Sequence, residues 1–514
     1  MREVPADDPK GASGPEGFDT LDRAQLDGLA DMDPERFRAA AHLVVDAMAD
    51  YLATVERRPV LPSIAPGSIG PSFPAEPPDE PEPLGAILAD LDRLVVPNAT
   101  HWQHPGFLAY FATSASAPGI LGEMWTATLG QNPMLWRTSP IGTELEQVVV
   151  GWLRAGLGLP PAFDGLLTDT ASTSTLIALA AAREAAGLRA AADGLAARAG
   201  GGTPIVYTSA EGHSSIEKAC MTLGLGRAGL RRIPVDAEYR MRPGLLAEAI
   251  TADRAAGRIP IAIVATIGTT SSTSVDPVEA IAEIAAGEGL WLHVDAAYAG
   301  AVALVPARRG PFAGWERADS IVVNPHKWLF TPLDASLLLS RRLEEVRAAF
   351  SLVPEYLRTL DQERPVHDFT EYQPQLGRRM RALKLWMQLR YFGLAGLRRR
   401  IDAHCLLAAE LAAAVDADPE FERLAPTPFS TVCLRWRPAA LAGREDQPEV
   451  RERLDAANER LMAAVNATGE VFLSHTRLHD RFAIRVAIGN LRTEGRHVDR
   501  AWELLQREAA TLDA

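Results

Sequence analysis

Four short apolar runs constrain the fold more than any other feature of this chain. They are Ile205-Val206-Tyr207, Ile261-Ala262-Ile263-Val264-Ala265, Leu290-Trp291-Leu292-His293-Val294 and Ile321-Val322-Val323, each bounded by polar residues, Gly or Pro. Short apolar runs with such boundaries read as strands buried on both faces. Helix-length segments such as 277–286 separate them. Over residues 84–392 this alternation implies an α/β fold, a mostly parallel sheet with helices on both faces. Ligands of such sheets bind beyond the carboxyl ends of the strands, so chemistry-bearing residues are sought there.

The remainder of the chain follows other rules. At 514 residues it exceeds what one compact core organises. Residues 1–18 are polar with scattered Gly and Pro, which predicts a disordered tail and no signal peptide. Asp33 followed by Pro34 is a helix start. Phe37, Ala41, Val44, Met48 and Tyr51 then recur as one apolar helical stripe. Nine prolines between positions 59 and 83 carry this helix away from the main body. Residues 19–83 therefore form an arm that must bury its stripe elsewhere. From residue 393 to 514, helical segments (406–415, 451–465) alternate with strand-like ones (431–435, 481–487), a smaller α+β domain.

Charge and cysteine usage exclude several functions. The net charge of -14 argues against nucleic acid and anionic membranes, which select basic faces. No apolar run approaches the length of a membrane span. Cys220, Cys405 and Cys433 are far apart, without metal-ligand spacing, so no metal is expected and a cytoplasmic location is.

Three places carry candidate chemistry. Lys327, in Asn324-Pro325-His326-Lys327-Trp328, follows a buried strand that Pro325 ends. A lysine buried among apolar neighbours loses proton affinity and becomes a nucleophile able to condense with an aldehyde. Asp295 ends the run 290–294, where a carboxylate can pair with a protonated ring nitrogen or merely cap a turn. His213 follows the run 205–207, and no second ligand stands at metal spacing. Thr170-Ala171-Ser172-Thr173-Ser174-Thr175 opens an Ala-rich helix, either an ordinary cap or an anion site.

Asn324-Pro325-His326-Lys327-Trp328, together with His293-Val294-Asp295-Ala296-Ala297-Tyr298-Ala299-Gly300, resembles the group II pyridoxal-phosphate-dependent amino acid decarboxylases, on the side of the aromatic-L-amino-acid decarboxylases and aromatic aldehyde synthases. The resemblance runs from about Asp33 to Leu505. It implies the aspartate-aminotransferase-like fold and a homodimer whose arm packs on the second subunit, with the active site at the subunit interface. It implies pyridoxal 5'-phosphate tethered by Lys327, with Asp295 on the ring nitrogen, His213 stacked on one ring face and Ala297 packed on the other. Ala171, Ser172, Asn324 and His326 match the phosphate grip, and Thr270 a residue near the ring hydroxyl. Trp102, Tyr110, Phe111 and Thr113 match an aromatic substrate pocket. Asn132 and Met134 match its partner-subunit wall, where an aliphatic and an aromatic residue are usual. Gly377 resembles the form with room for an indole.

The implied reaction is decarboxylation of an aromatic L-amino acid (tryptophan, tyrosine, phenylalanine or dopa class) to the amine and CO2. The resembled decarboxylases carry a flap tyrosine whose phenol returns a proton to the carbanion left by CO2. Residues 360–375 are polar and read as that flap. Counting back from Leu376-Gly377-Arg378-Arg379 without gaps puts Phe369 at the tyrosine's place, and Phe has no proton to give. In the family that replacement goes with oxidative deamination to an arylacetaldehyde. For the amine outcome the expected proton donor is Tyr372, one turn on, or else His213 or a water.

Overall fold

A computed structural model of the chain describes residues 17–195, 201–352, 367–445 and 447–512. Most of the expected tail, residues 1–16, lies outside the described residues.

Seven strands form one sheet: β1 (Asp164–Thr168), β2 (Pro204–Ser209), β3 (Leu230–Ile233), β4 (Ile259–Thr266), β5 (Trp291–Asp295), β6 (Ser320–Val323) and β7 (Ser336–Ser340). Their order is β1-β7-β6-β5-β4-β2-β3. The neighbours from β3 to β6 are parallel, and β7 runs antiparallel to both β6 and β1. The four apolar runs fall in β2, β4, β5 and β6. Both faces are covered, as a parallel sheet requires. On one face Ile263, Leu292 and Ile321 pack with Val149 and Leu153 of the helix Pro140–Leu157. On the other, Val206, Ala262, Val264 and Trp291 pack with Ile177 and Ile216 of the helices Ala171–Ala185 and Ser214–Thr222.

A second sheet contains β8 (Phe421–Arg423), β9 (Thr431–Trp436), β10 (Ser474–Leu478) and β11 (Arg481–Ala487), antiparallel in the order β10-β11-β9-β8. Val432, Leu434, Ile484 and Val486 form its core with Leu461 and Leu505 of the helices Pro448–Ala467 and Gly495–Ala509. The helical stretch Ala382–Ala417 connects the two bodies, burying Leu385 in the first core and Leu411 in the second. It breaks at Gly393, whose φ of 59° and ψ of 165° suit only a residue without a Cβ.

The arm helix is Pro34–Thr54, capped by Asp33, whose carboxylate accepts from the backbone N–H groups of Glu35 and Arg36. Its stripe is covered in part by its own chain: Ala41, Val44 and Tyr51 are half-buried and Tyr51 Oη lies 3.0 Å from His101 Nδ1, whereas Phe37 is 58% and Met48 41% exposed. Among the described residues no helix is long and apolar enough to cross a membrane.

Candidate active site

Lys327 and Asp295 follow the carboxyl ends of two neighbouring parallel strands in the middle of the sheet. Asp295 ends β5 and pairs in register with Val322 of β6. The chain then turns at Asn324-Pro325 to present Lys327. Two backbone bonds tie the turns together: Ala296 N–H donates to Val322 O at 3.0 Å, and Asn324 N–H to Ala297 O at 2.9 Å. Burial lowers the proton affinity of Lys327, and the nearby Asp295 carboxylate acts against that trend. The Lys327 Nζ lies 5.3 Å from the ring centroid of Phe111. Phe111 opens a ladder of plates, stacked on Tyr298 at 3.7 Å, with Tyr298 on Trp328 at 4.6 Å and 5°. These plates join the residue after Lys327 to the one three past Asp295, which fixes the separation of amine and acid.

His213 caps the helix Ser214–Thr222. Its Nδ1 accepts from Ser215 N–H at 3.2 Å and lies 2.8 Å from Ser215 Oγ. With Nδ1 an acceptor, the ring proton is on Nε2. Burial holds its pKa below the ordinary value, and both Asp295 and Lys327 act on it electrostatically. Ala297, itself buried, donates its N–H to Asp295 Oδ1 at 3.1 Å.

The residues expected to grip a phosphate are arranged as follows. Ala171 and Ser172 form the first turn of the helix Ala171–Ala185, with Thr170 as its cap. His326 Nδ1 accepts from Ala335 N–H at 3.0 Å, so its Nε2 carries the proton. Burial pushes the His326 pKa down to about 3, which keeps it a neutral donor. Asn324 is buried and its Oδ1 has no partner in the protein. Thr270 is exposed on the turn after β4.

Of the expected substrate residues, Phe111 reaches Lys327. Trp102 stacks on Phe107 at 4.2 Å and Tyr110 at 6.3 Å, while Thr113 is half-buried further along the same segment. Asn132, Met134 and Gly377 form a second group. Asn132 Oδ1 accepts from Arg378 N–H at 2.9 Å, its Nδ2 lies 3.6 Å from Met134 Sδ, and a Cβ on Gly377 would approach that Nδ2 to 4.0 Å.

The flap expectation is corrected in part. Phe369 and Tyr372 lie in a 3-10 turn, 1% and 7% exposed, in the same core as Ile177 and Val346. The Arg378 guanidinium lies 4.3 Å from the Phe369 ring centroid. Burial pushes the Tyr372 phenol up to about 12. Their spacing of three puts both rings on the apolar side of one turn, and polar neighbours hid that side in the sequence. Thr370 N–H donates to Met134 O, and Asp368 accepts from Trp136 N–H, so this stretch is anchored. Residues 360–366 of the expected flap lie outside the described residues.

Arg485 was missed. It is a charged residue inside the apolar strand β11, and that interruption was the signal available. It is buried, with Nε donating to Ser271 O at 2.8 Å and Nη1 to Ser474 Oγ at 3.0 Å. Its guanidinium lies 5.3 Å from the Phe111 centroid, and Nη2 is buried without a partner.

These residues fit a phosphorylated pyridine aldehyde. The helix start with Asn324 and His326 suits the phosphate, Asp295 the ring nitrogen, Lys327 the aldehyde and His213 the ring face.

Comparison with known proteins agrees. The family described as Pyridoxal-dependent decarboxylase conserved domain matches residues 66–437. Phenylacetaldehyde synthase of Arabidopsis thaliana is 40% identical over 493 residues, covering 94% of this chain and 98% of that protein. Tyrosine decarboxylase 4 of Petroselinum crispum is 39% identical, with 94% of each chain covered. The crystal structure of Oryza sativa TDC with PLP and tryptamine superposes with a TM-score of 0.89 at 37% identity, covering 94% of this chain and 99% of that one. The chain is a member of the pyridoxal-dependent decarboxylase family, a pyridoxal-phosphate-dependent carboxy-lyase.

Proposed function

We propose that this enzyme decarboxylates an aromatic L-amino acid to its amine and CO2, as a homodimer. The observation that supports the reading is that Lys327 and Asp295 follow the carboxyl ends of neighbouring strands, with His213 within electrostatic reach of both. Bound there, the cofactor supplies a protonated ring that draws electrons from the bond to the departing carboxylate. Asp295 holds the ring proton. The Nε2–H of His213 and the unpartnered Nη2 of Arg485 are donors for the substrate carboxylate, orienting it for loss. Phe111 and Trp102 exclude water and offer flat apolar surface to an aromatic side chain. The related proteins named for tyrosine and tryptophan decarboxylation support that substrate class.

Proton return decides between amine and aldehyde. With Phe369 in the core, its lack of a hydroxyl no longer argues for the oxidative outcome. The phenol implied by the family resemblance is sought before His367, where the sequence between Leu352 and His367 holds one tyrosine, Tyr356. The second reading, an arylacetaldehyde product, is kept open by the 40% identity to a phenylacetaldehyde synthase. Incubation in air with tryptophan, tyrosine, phenylalanine and dopa, assaying amine and peroxide, separates them. Amine without peroxide is expected; stoichiometric peroxide with little amine overturns the headline reading.

The dimer reading is supported by the exposed Phe37 and Met48 of the arm and by Trp125, Trp152 and Tyr391, which are 56%, 43% and 73% exposed in the single chain.

A further inference from the structure

Ser474 of β10 and Arg485 of β11 are cross-strand partners, so their side chains leave the hairpin on the same face. Both are buried. The guanidinium is pinned at two corners: Nη1 donates to Ser474 Oγ at 3.0 Å and Nε to Ser271 O at 2.8 Å. A planar fork held at two corners cannot swing, so the direction of its unpartnered Nη2 is set. The same Ser474 oxygen also accepts from Tyr110 N–H, at 3.1 Å. Upstream of Tyr110 the chain runs beside Phe472 as a strand does. Phe472 N–H donates to Gly106 O at 2.9 Å and Leu108 N–H to Phe472 O at 3.0 Å. The pattern ends at Tyr110, whose φ of 50° is uncommon for a bulky residue, and there the side chain of Ser474 takes the N–H. Both lone pairs of the hydroxyl are then filled. Tyr110 stacks on Trp102, while the Arg485 guanidinium and the Lys327 amine each lie 5.3 Å from the Phe111 centroid.

We propose that Ser474 is a positioning residue for the substrate: its hydroxyl, steadied by the Tyr110 N–H, holds the Arg485 fork so that Nη2 meets the substrate carboxylate. The inference rests on the reading above, in which Arg485 is a donor to that carboxylate and the aromatic side chains line the pocket. An amino acid carries its carboxylate and its ring on one short skeleton. Both ends are satisfied together only if the carboxylate donor and the aromatic wall keep their spacing. A hydroxyl bonded to both elements supplies that constraint with one atom.

The test uses the holoenzyme of the wild type and of Ser474→Ala, Ser474→Thr and Arg485→Gln. KM and kcat/KM are measured for L-tryptophan, L-tyrosine and L-phenylalanine, and Ki for the amine of each, which lacks the carboxylate. Tm is the folding control. Ser474→Ala is expected to lower kcat/KM about tenfold, the scale of one hydrogen bond to a charged group. Its Ki for the amine stays within about threefold of wild type, because the wall keeps its backbone bonds to Phe472. Ser474→Thr, which keeps the hydroxyl, recovers the wild-type ratio of the two, and Arg485→Gln shows the same acid-selective loss. With Arg485→Gln selective, equal losses for acid and amine in Ser474→Ala, or no loss at all, overturn the proposal alone. An Arg485→Gln that is not selective sinks the reading of Arg485 and the proposal with it. Should Ser474→Ala not fold, Ser474→Cys decides, since a thiol is a poor acceptor: a shifted ratio supports the proposal and a wild-type ratio refutes it. Failure of the wild type to turn over any of the three amino acids would instead sink the substrate reading.

Discussion

The N–H of Asn324 donates to the carbonyl of Ala297 at 2.9 Å, tying the turn that presents Lys327 to the turn that follows Asp295. Amine and acid are thereby held in one frame, stiffened by the stacked plates of Trp328, Tyr298 and Phe111. Asp295→Asn keeps the shape and removes the charge. Turnover is expected to fall about a hundredfold or more, the scale of a lost electrostatic partner in the transition state, with apoenzyme Tm nearly unchanged. Steady-state kinetics and a thermal scan check both.

His213 sets the acid limb of the pH profile. Burial lowers its pKa below 6.5, so it is neutral at pH 7 and donates through Nε2. The kcat/KM profile should be flat above the ordinary histidine value and fall as pH drops through the lowered one. The stability sign is the same: a depressed histidine contributes above its unfolded pKa and loses that contribution on acidification. His213→Gln should remove the limb.

Phe369 and Tyr356 separate core from chemistry. Phe369→Tyr adds a hydroxyl to a buried ring packed under Arg378, which costs about 1–3 kcal/mol if it finds no partner. Its Tm should fall while the ratio of amine to aldehyde stays unchanged. Tyr356→Phe should leave Tm alone and shift product from amine toward aldehyde and peroxide. The reverse pattern would return Phe369 to the site.

Arg378 is paired with Glu146 by two bonds of 2.7 and 3.1 Å, with both side chains fully buried. Removing one partner strands a charge in the core. Glu146→Ala is expected to destabilise by about 3–5 kcal/mol, measured by denaturant titration.

The arm gives a fifth test. Phe37→Glu with Met48→Glu places charges on the exposed part of the stripe. The double variant should shift sedimentation from dimer toward monomer and lose activity; an unchanged dimer would put the arm elsewhere.

Much of this was legible because it depends on local rules. β2, β4, β5 and β6 announced themselves as apolar runs, and Lys327 and Asp295 stood where such runs end. β7 did not: Ser336-Leu337-Leu338-Leu339-Ser340 looks like any buried strand, and its antiparallel insertion between β6 and β1 is a long-range choice. Phe369 was read as part of a flap because two aromatic rings among charges look like a polar loop until the turn brings them together. Arg485 was hidden inside an apolar strand, where a polar side chain stands out only once its orphaned nitrogen is located.

The most direct measurement is chemical trapping of the cofactor. The enzyme loaded with pyridoxal 5'-phosphate is reduced with borohydride, digested, and its peptides mapped by mass. A phosphopyridoxyl group on Lys327 alone is the expected result, with none in Lys327→Ala. The group on another lysine, or equal labelling of the variant, would contradict it.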